Sequence, residues 1–268
     1  MFHTIKQGTL EYLTADALEG SVHCFSTRLG GVSEGQLSSL NLGTHRGDKP
    51  ENVRENYRIL GKAVGFAPEE TVFTRQEHTD LLLRVGRADC GTGLDREQTT
   101  VCDGILTDEP GVVLVCFAAD CTPVLLFDPV RQAIAAVHAG WRGTAQGIAY
   151  KAVLRMQEEF GCAPEDIRAA IGPCIGRCCF EVGPEVSDAM REALGADAEA
   201  AIEPRGEKAH VDLKLLNRIW LQKAGVQVID VSPDCTMCHP DRFWSHRVTG
   251  GARGSQAAII RLKGGAAQ

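Results

Sequence analysis

The segment that decides the fold runs from Val112 to Thr144: V-V-L-V-C-F-A-A-D-C-T-P-V-L-L-F-D-P-V-R-Q-A-I-A-A-V-H-A-G-W-R-G-T. Residues 112–119 and 132–138 are short apolar runs rich in β-branched side chains, and Asp128-Pro129 between them is a strong turn start, so they read as neighbouring buried strands. A turn with its ends at Asp128 and Arg131 places Cys121 directly opposite His138. Opposed residues of an antiparallel pair hold their Cβ atoms about 4.5–5.5 Å apart, close enough for a thiolate and an imidazole to share a zinc ion or to act as nucleophile and base. The plainer alternative is a buried small hydrophobe beside a hydrogen-bonded core histidine. Pro123 cannot donate to a central ladder, which predicts a strand end or bulge near Cys121.

His138 leads into Gly140-Trp141-Arg142-Gly143-Thr144, where a helix start exposes backbone N–H groups beside a guanidinium. That combination suits an anion such as phosphate; an ordinary strand-to-helix turn with a solvated arginine is the alternative. A catalytic zinc normally has three protein ligands, and His78, in T-R-Q-E-H-T-D from Thr74 to Asp80, is the candidate for the third.

Further out, Asp48-Lys49-Pro50 followed by Val53, Tyr57, Leu60 and Val64, with Gly65 as a stop, predicts a helix. A second stripe of Ile148, Ala149, Ala152, Val153, Met156 and Phe160 ends at Gly161. Further helices start at Pro184 (Val186, Ala189, Met190 and Leu194 inward) and near Asp212 (Leu213, Leu216, Ile219 and Trp220 inward). Strand-like runs follow at 226–231 and 257–262. Strands and helices interleave around at least one hairpin. The expectation is an α/β fold bordering on α+β, with mixed sheets flanked by helices in a single domain spanning 1–268.

With 268 residues, 44 % hydrophobic and 24 % charged, the chain is neither disordered nor fibrous. Its net charge of −7 without a dense basic cluster argues against nucleic acid and favours a small-molecule partner. The longest apolar run is too short to span a bilayer, so no membrane is expected. Eleven cysteines, an odd number, and an N-terminus without a secretory pattern point to the cytoplasm.

The remaining motifs read less sharply. F-S-T-R-L-G-G-V-S (Phe25 to Ser33), L-N-L-G (Leu40 to Gly43) and I-G-P-C-I-G (Ile171 to Gly176) are turn-rich segments, either structural punctuation or the rim of a polar pocket. Cys235-Thr236-Met237-Cys238 is half a zinc ribbon whose partner is missing, since only adjacent Cys178-Cys179 could answer it; the pattern reads against a structural zinc there. The eight histidines include no H-x-H pair, which disfavours a multicopper oxidase.

Together these blocks resemble the YfiH-type laccase-domain family, named in different places as polyphenol oxidase or purine nucleoside phosphorylase. The likeness extends through Q-x-H (Gln76 to His78), A-D-C-x-P (Ala119 to Pro123), H-A-G-W-R-G-T (His138 to Thr144), C-x-E-V-G (Cys179 to Gly183) and S-H-R (Ser245 to Arg247). It implies a zinc ion on His78, Cys121 and His138, and phosphorolysis of adenosine, inosine and methylthioadenosine with adenosine deamination as a companion. On that reading Cys121, His138 and Arg142 are catalytic, and Arg28, Asn41, Arg46 and Gln76 bind purine nucleoside and phosphate. Asp103, Asp120 and Glu181 are candidate proton carriers. Two departures stand out: Glu77 occupies the usually apolar middle of Q-x-H, and near the C-terminus an arginine has shifted to Arg253. The alternatives are a cysteine hydrolase or deamidase using Cys121 and His138, and a polyphenol oxidase.

Overall fold

The computed structural model describes residues 1–264; the last four residues of the expected 1–268 span lie outside it. The strands are Phe2–Gln7 (β1), Leu10–Ala15 (β2), Ser21–Ser26 (β3), Thr71–Phe73 (β4), Leu82–Arg84 (β5), Gly104–Thr107 (β6), Val113–Ala118 (β7) and Thr122–Asp128 (β8). They continue with Ala133–Ala139 (β9), Arg168–Ile171 (β10), Glu181–Val182 (β11), Ile202–Arg205 (β12), Lys208–Val211 (β13), Val228–Val231 (β14) and Gln256–Leu262 (β15). The α-helices are Pro50–Val64 (α1), Trp141–Ala145 (α2), Ile148–Phe160 (α3), Pro184–Leu194 (α4), Leu213–Lys223 (α5) and His246–Thr249 (α6).

Two six-stranded sheets, in the orders β1-β2-β3-β15-β7-β4 and β14-β10-β8-β9-β6-β5, pack face to face. Both are mixed, because β4/β7, β5/β6 and β10/β14 are parallel among otherwise antiparallel neighbours. Phe25, Leu114 and Ile260 from one sheet meet Ile105, Leu125, Phe127 and Ile134 from the other. Each such buried side chain contributes about 1.5–3 kcal/mol relative to exposure. The opposite faces are covered too: α3 lies over β9 and β6, α5 over β10 and β14, and α1 over β3, β7 and β15. A small third sheet, β11-β13-β12, packs with α4 and α5. The fold is mixed α/β, as the sequence predicts.

The α1 prediction holds: Pro50 opens the helix and Gly65, at φ 102°, closes it by donating its N–H to the Gly61 carbonyl at 2.8 Å. The second stripe is α3, bracketed by Gly147 (φ 73°) and Gly161 (φ 67°), with short α2 before it. Helix α5 is capped by Asp212, which accepts from the Leu215 amide.

The hairpin departs from the expectation in two ways. The neighbour of β9 is β8, whereas the 112–119 run forms β7 in the opposing sheet. The register pairs His138 with Pro123, two residues away from the expected Cys121. The turn is longer than assumed, because Asp128 Oδ1 accepts from the amides of both Val130 and Arg131 and Gln132 adopts φ 51°. A slip of two keeps every side chain on its face. Pro123 is tolerated because its nitrogen faces the side where β10 has ended; there its carbonyl accepts from Gly172 N–H.

Candidate functional site

His78 comes from the loop after β4, Cys121 sits immediately before β8, and His138 is the penultimate residue of β9. Their donor atoms lie within 4.8 Å of one another, with Cys121 Sγ 3.7 Å from His78 Nε2 and the two imidazoles edge-on at 5.0 Å between centroids. The structure thus brings together the three residues expected to hold a metal. Gly140 makes room for them: a Cβ there would fall 2.5 Å from His78 Cδ2 and 3.5 Å from Cys121 Sγ.

Asp103, fully buried just before β6, organises the cluster. Its Oδ1 contacts His138 Nδ1 at 2.8 Å and accepts from the His78 amide at 3.1 Å. Its Oδ2 accepts from the amides of Glu77 and Thr79 and from the Thr79 hydroxyl. One carboxylate therefore aims both histidines, and its bond to Nδ1 leaves His138 Nε2 as the nitrogen free to act as a ligand. Burial alone would raise the Asp103 pKa, yet the His138 and Thr79 contacts bring it down to about 2.

Cys121 and His138 perturb each other. Burial resists ionisation of the thiol, but the facing His138 and the hydrogen bonds from both histidines outweigh it and lower the thiol to about 6. Burial likewise works against a charged His138, while Cys121 and Asp103 raise it to about 9. Without a metal the pair rests as thiolate and imidazolium.

Among the described residues only three non-glycine residues adopt left-handed φ, and two of them, His78 (62°) and Asp120 (81°), belong to this region. Asp120 is held by Thr236 Oγ1 (2.6 Å), Ser245 Oγ (3.0 Å) and the Arg247 amide (2.7 Å), so the S-H-R segment anchors the backbone that presents Cys121. Asp103 and Asp120 are thus committed to positioning, and Glu181 is exposed and paired with Lys208. None of the three is placed as the proton carrier that the sequence reading considered.

The expected substrate-binding residues divide. Arg28 spends Nε, NH1 and NH2 on the carbonyls of Ser38 and Pro240 and lies 3.9 Å over the Trp244 ring. Asn41 is fully buried and bonds Gly43, Asp48 and the Ser255 amide. Both tie loops together. Gln76 grips Phe117 through its amide and carbonyl groups, which pins the loop carrying His78 to the end of β7. Gln76 and Arg46 also line a cavity of about 440 Å³ with Phe117, Glu77 and Ser255. Arg142 is exposed, stacked on Trp141 at 4.2 Å, and forms no ion pair among the described residues.

Sequence reasoning missed Arg253. It bonds the Gly254 carbonyl and Ser255 Oγ, which also takes Arg46 Nε, while its own Nε is buried without a partner. Burial first, then repulsion from Arg46, lower its pKa to about 10 even though Cys121 and Asp120 pull the other way. The two guanidinium groups converge on Ser255 Oγ and neither forms an ion pair among the described residues, an arrangement able to receive an anion. The signal was the displaced arginine itself. The structure brings Cys235-x-x-Cys238 against Cys178 and Cys179, the adjacent pair that the sequence offered as its only possible partner.

The fold is a two-sheet α/β sandwich that gathers two histidines and a cysteine at a point able to hold a metal ion. The chain belongs to the family described as multi-copper polyphenol oxidoreductase laccase, which it matches over residues 22–263. It is 38 % identical to a purine nucleoside phosphorylase of Bacteroides thetaiotaomicron over 247 residues, covering 90 % of this chain and 91 % of that one. It is also 38 % identical over 232 residues to purine nucleoside phosphorylase YfiH of Escherichia coli, covering 85 % and 89 %. The crystal structure of YlmD from Geobacillus stearothermophilus superposes with a TM-score of 0.91 at 36 % identity, covering 97 % of this chain and 99 % of that one. No helix among the described residues is long and apolar enough to cross a membrane.

Proposed function

We propose that the chain is a cytoplasmic zinc-containing purine nucleoside phosphorylase acting on adenosine, inosine and S-methyl-5'-thioadenosine with phosphate, with adenosine deamination as a companion activity. The observation that carries this reading is the His78–Cys121–His138 cluster beside the Arg46–Arg253 pair, in a chain so similar to relatives named for that activity.

The donor set fits zinc. Two imidazoles and one thiolate with an open fourth position are the ligand count of a catalytic zinc. A blue-copper site would add an axial thioether, but Met156 and Met190 are buried in other clusters and Met237 packs with the second of these. A trinuclear copper cluster needs many grouped imidazoles, and this group holds two. When bound, zinc supplies Lewis-acid polarisation of a substrate oxygen.

The chain's own residues do the rest. Asp103 keeps the proton on His138 Nδ1 and fixes the His78 backbone. Arg46 and Arg253 bind and orient phosphate, neutralising charge that must approach the ribose, with Arg142 available at the start of α2. The cavity volume is in the range of small-molecule sites, and Phe117 offers it an aromatic wall for the purine.

Incubation with each nucleoside, with and without phosphate, tests the proposal. It expects free base only when phosphate is present, together with ribose 1-phosphate from adenosine and inosine and 5-methylthioribose 1-phosphate from methylthioadenosine; base release independent of phosphate, or none at all, refutes it. The lowered Cys121 thiol, facing an imidazole oriented by Asp103, favours one second reading, a cysteine hydrolase. That reading requires Cys121-dependent turnover to survive complete metal removal.

A further inference from the structure

Away from the His78 site, two loops meet: 172–180 after β10 and 232–239 after β14. A bridge joins Cys174 to Cys235, where the Thr236 amide donates to the Cys174 carbonyl at 3.1 Å. The junction gathers four sulfurs. Cys178, Cys179, Cys235 and Cys238 place their Sγ atoms within 4.8 Å of one another, with Cys238 3.6 Å from Cys178 and 3.4 Å from Cys179. All four are free thiols.

Tetrahedral coordination at a Zn–S distance of about 2.3 Å spaces four sulfurs roughly 3.8 Å apart, close to the 3.6 and 3.4 Å from Cys238 to Cys178 and Cys179 and compatible with a set that lies within 4.8 Å. The Gly176 amide donates to Cys235 Sγ at 3.1 Å, a bond that stabilises a thiolate. The His239 amide folds back to the Cys235 carbonyl at 3.2 Å, so Cys235-x-x-Cys238 forms a tight knuckle with both sulfurs on one side. A disulfide explains the arrangement less well, because Cys238 is about equally close to two sulfurs and any single bond would strand the other two. Soft thiolates in a closed set of four select zinc among the common divalent ions and leave no position open for substrate.

We propose that Cys178, Cys179, Cys235 and Cys238 form a second, structural metal site that binds zinc as a tetrathiolate. Its place in the fold suggests what it does. Both joined loops hold Asp120, since the Ile175 amide donates to the Asp120 carbonyl and Thr236 Oγ1 donates to its carboxylate. The metal would lock the two segments that maintain the left-handed backbone immediately before Cys121.

The test is metal stoichiometry on the purified full-length chain, with differential alkylation as a second readout. The wild type is expected to hold about two zinc ions per chain, and the double variant Cys178→Ser/Cys238→Ser about one. Cobalt substitution should give the intense thiolate charge-transfer bands of four sulfurs in the wild type and lose them in the variant. If the variant does not fold, the wild type still decides: Cys178 and Cys238 are exposed in the chain, yet should resist iodoacetamide until a chelator strips the metal. Equal alkylation before and after chelation, unchanged zinc content in a folded variant, or a disulfide among the four cysteines would overturn the proposal.

Discussion

Asp103→Asn tests the internal logic of the metal centre. The carboxylate makes five contacts: His138 Nδ1 and the His78 amide on Oδ1, and the amides of Glu77 and Thr79 with the Thr79 hydroxyl on Oδ2. Asparagine preserves the shape and one acceptor. Its NH2 group, however, meets donors where Oδ2 accepted, or else turns toward His138 and disturbs the proton on Nδ1. The difference between the ordinary Asp value of 3.8 and about 2 corresponds to roughly 2–3 kcal/mol of preference for the carboxylate. Loss of an outer-shell partner of a ligating histidine costs about 10–100-fold in metal affinity, or roughly 1.4–2.8 kcal/mol. The first figure belongs to the metal-free protein and the second to the metal complex. Competition with a chromophoric chelator should show zinc affinity reduced about 10–100-fold, and urea unfolding of the metal-free protein should show a loss of roughly 2–3 kcal/mol. Glu77→Gln, which leaves the backbone contacts in place, should change affinity less than about threefold as a surface substitution. A folded Asp103→Asn protein with wild-type zinc affinity would refute the reasoning.

Three more outcomes follow from the same geometry. Between about pH 6 and 9 the metal-free site is thiolate and imidazolium, so zinc must displace about one proton and its affinity should rise about tenfold per pH unit, more steeply below 6 where the thiol is also protonated; affinity independent of pH across that window contradicts the pairing. Gly140→Ala should weaken zinc binding by about tenfold or more, because the new Cβ drives His78 off its position, while stability changes by under about 2 kcal/mol. Arg253→Met should raise the KM for phosphate about 10–100-fold and leave the nucleoside KM within about threefold, as expected for the loss of a charged hydrogen-bonding partner; equal effects on both would remove Arg253 from the anion site.

What the sequence revealed depended on how local the governing physics is. Helix α1 was legible because Pro50, the apolar stripe and Gly65 all lie within the element. The hairpin was half legible: the assumed turn put His138 near Cys121 and missed the pairing by two residues, because the register was set by Asp128 accepting two turn amides, which composition does not disclose. The 112–119 run was assigned to the wrong partner because a strand apolar on both faces looks the same whether its neighbour lies beside it or across the sandwich. Among site residues, the convergence of His78, Cys121 and His138 was legible from motif blocks. The loop-tying bonds of Arg28 and Asn41 were not legible, since polar loops that hold a ligand and those that hold one another draw on the same residue types. The pairing of Arg253 with Arg46 and the four-cysteine junction join residues distant in the chain, so their sequence signals did not disclose that they meet.

The central claim, that a metal at His78, Cys121 and His138 supports phosphorolysis, is tested most directly by following inosine cleavage with phosphate as zinc is removed from the protein and restored. The account predicts that hypoxanthine and ribose 1-phosphate form in proportion to zinc at this site, and that folded Cys121→Ala and His78→Ala proteins stay inactive when zinc is added. Full phosphate-dependent cleavage by metal-free protein, or by either variant, would contradict it.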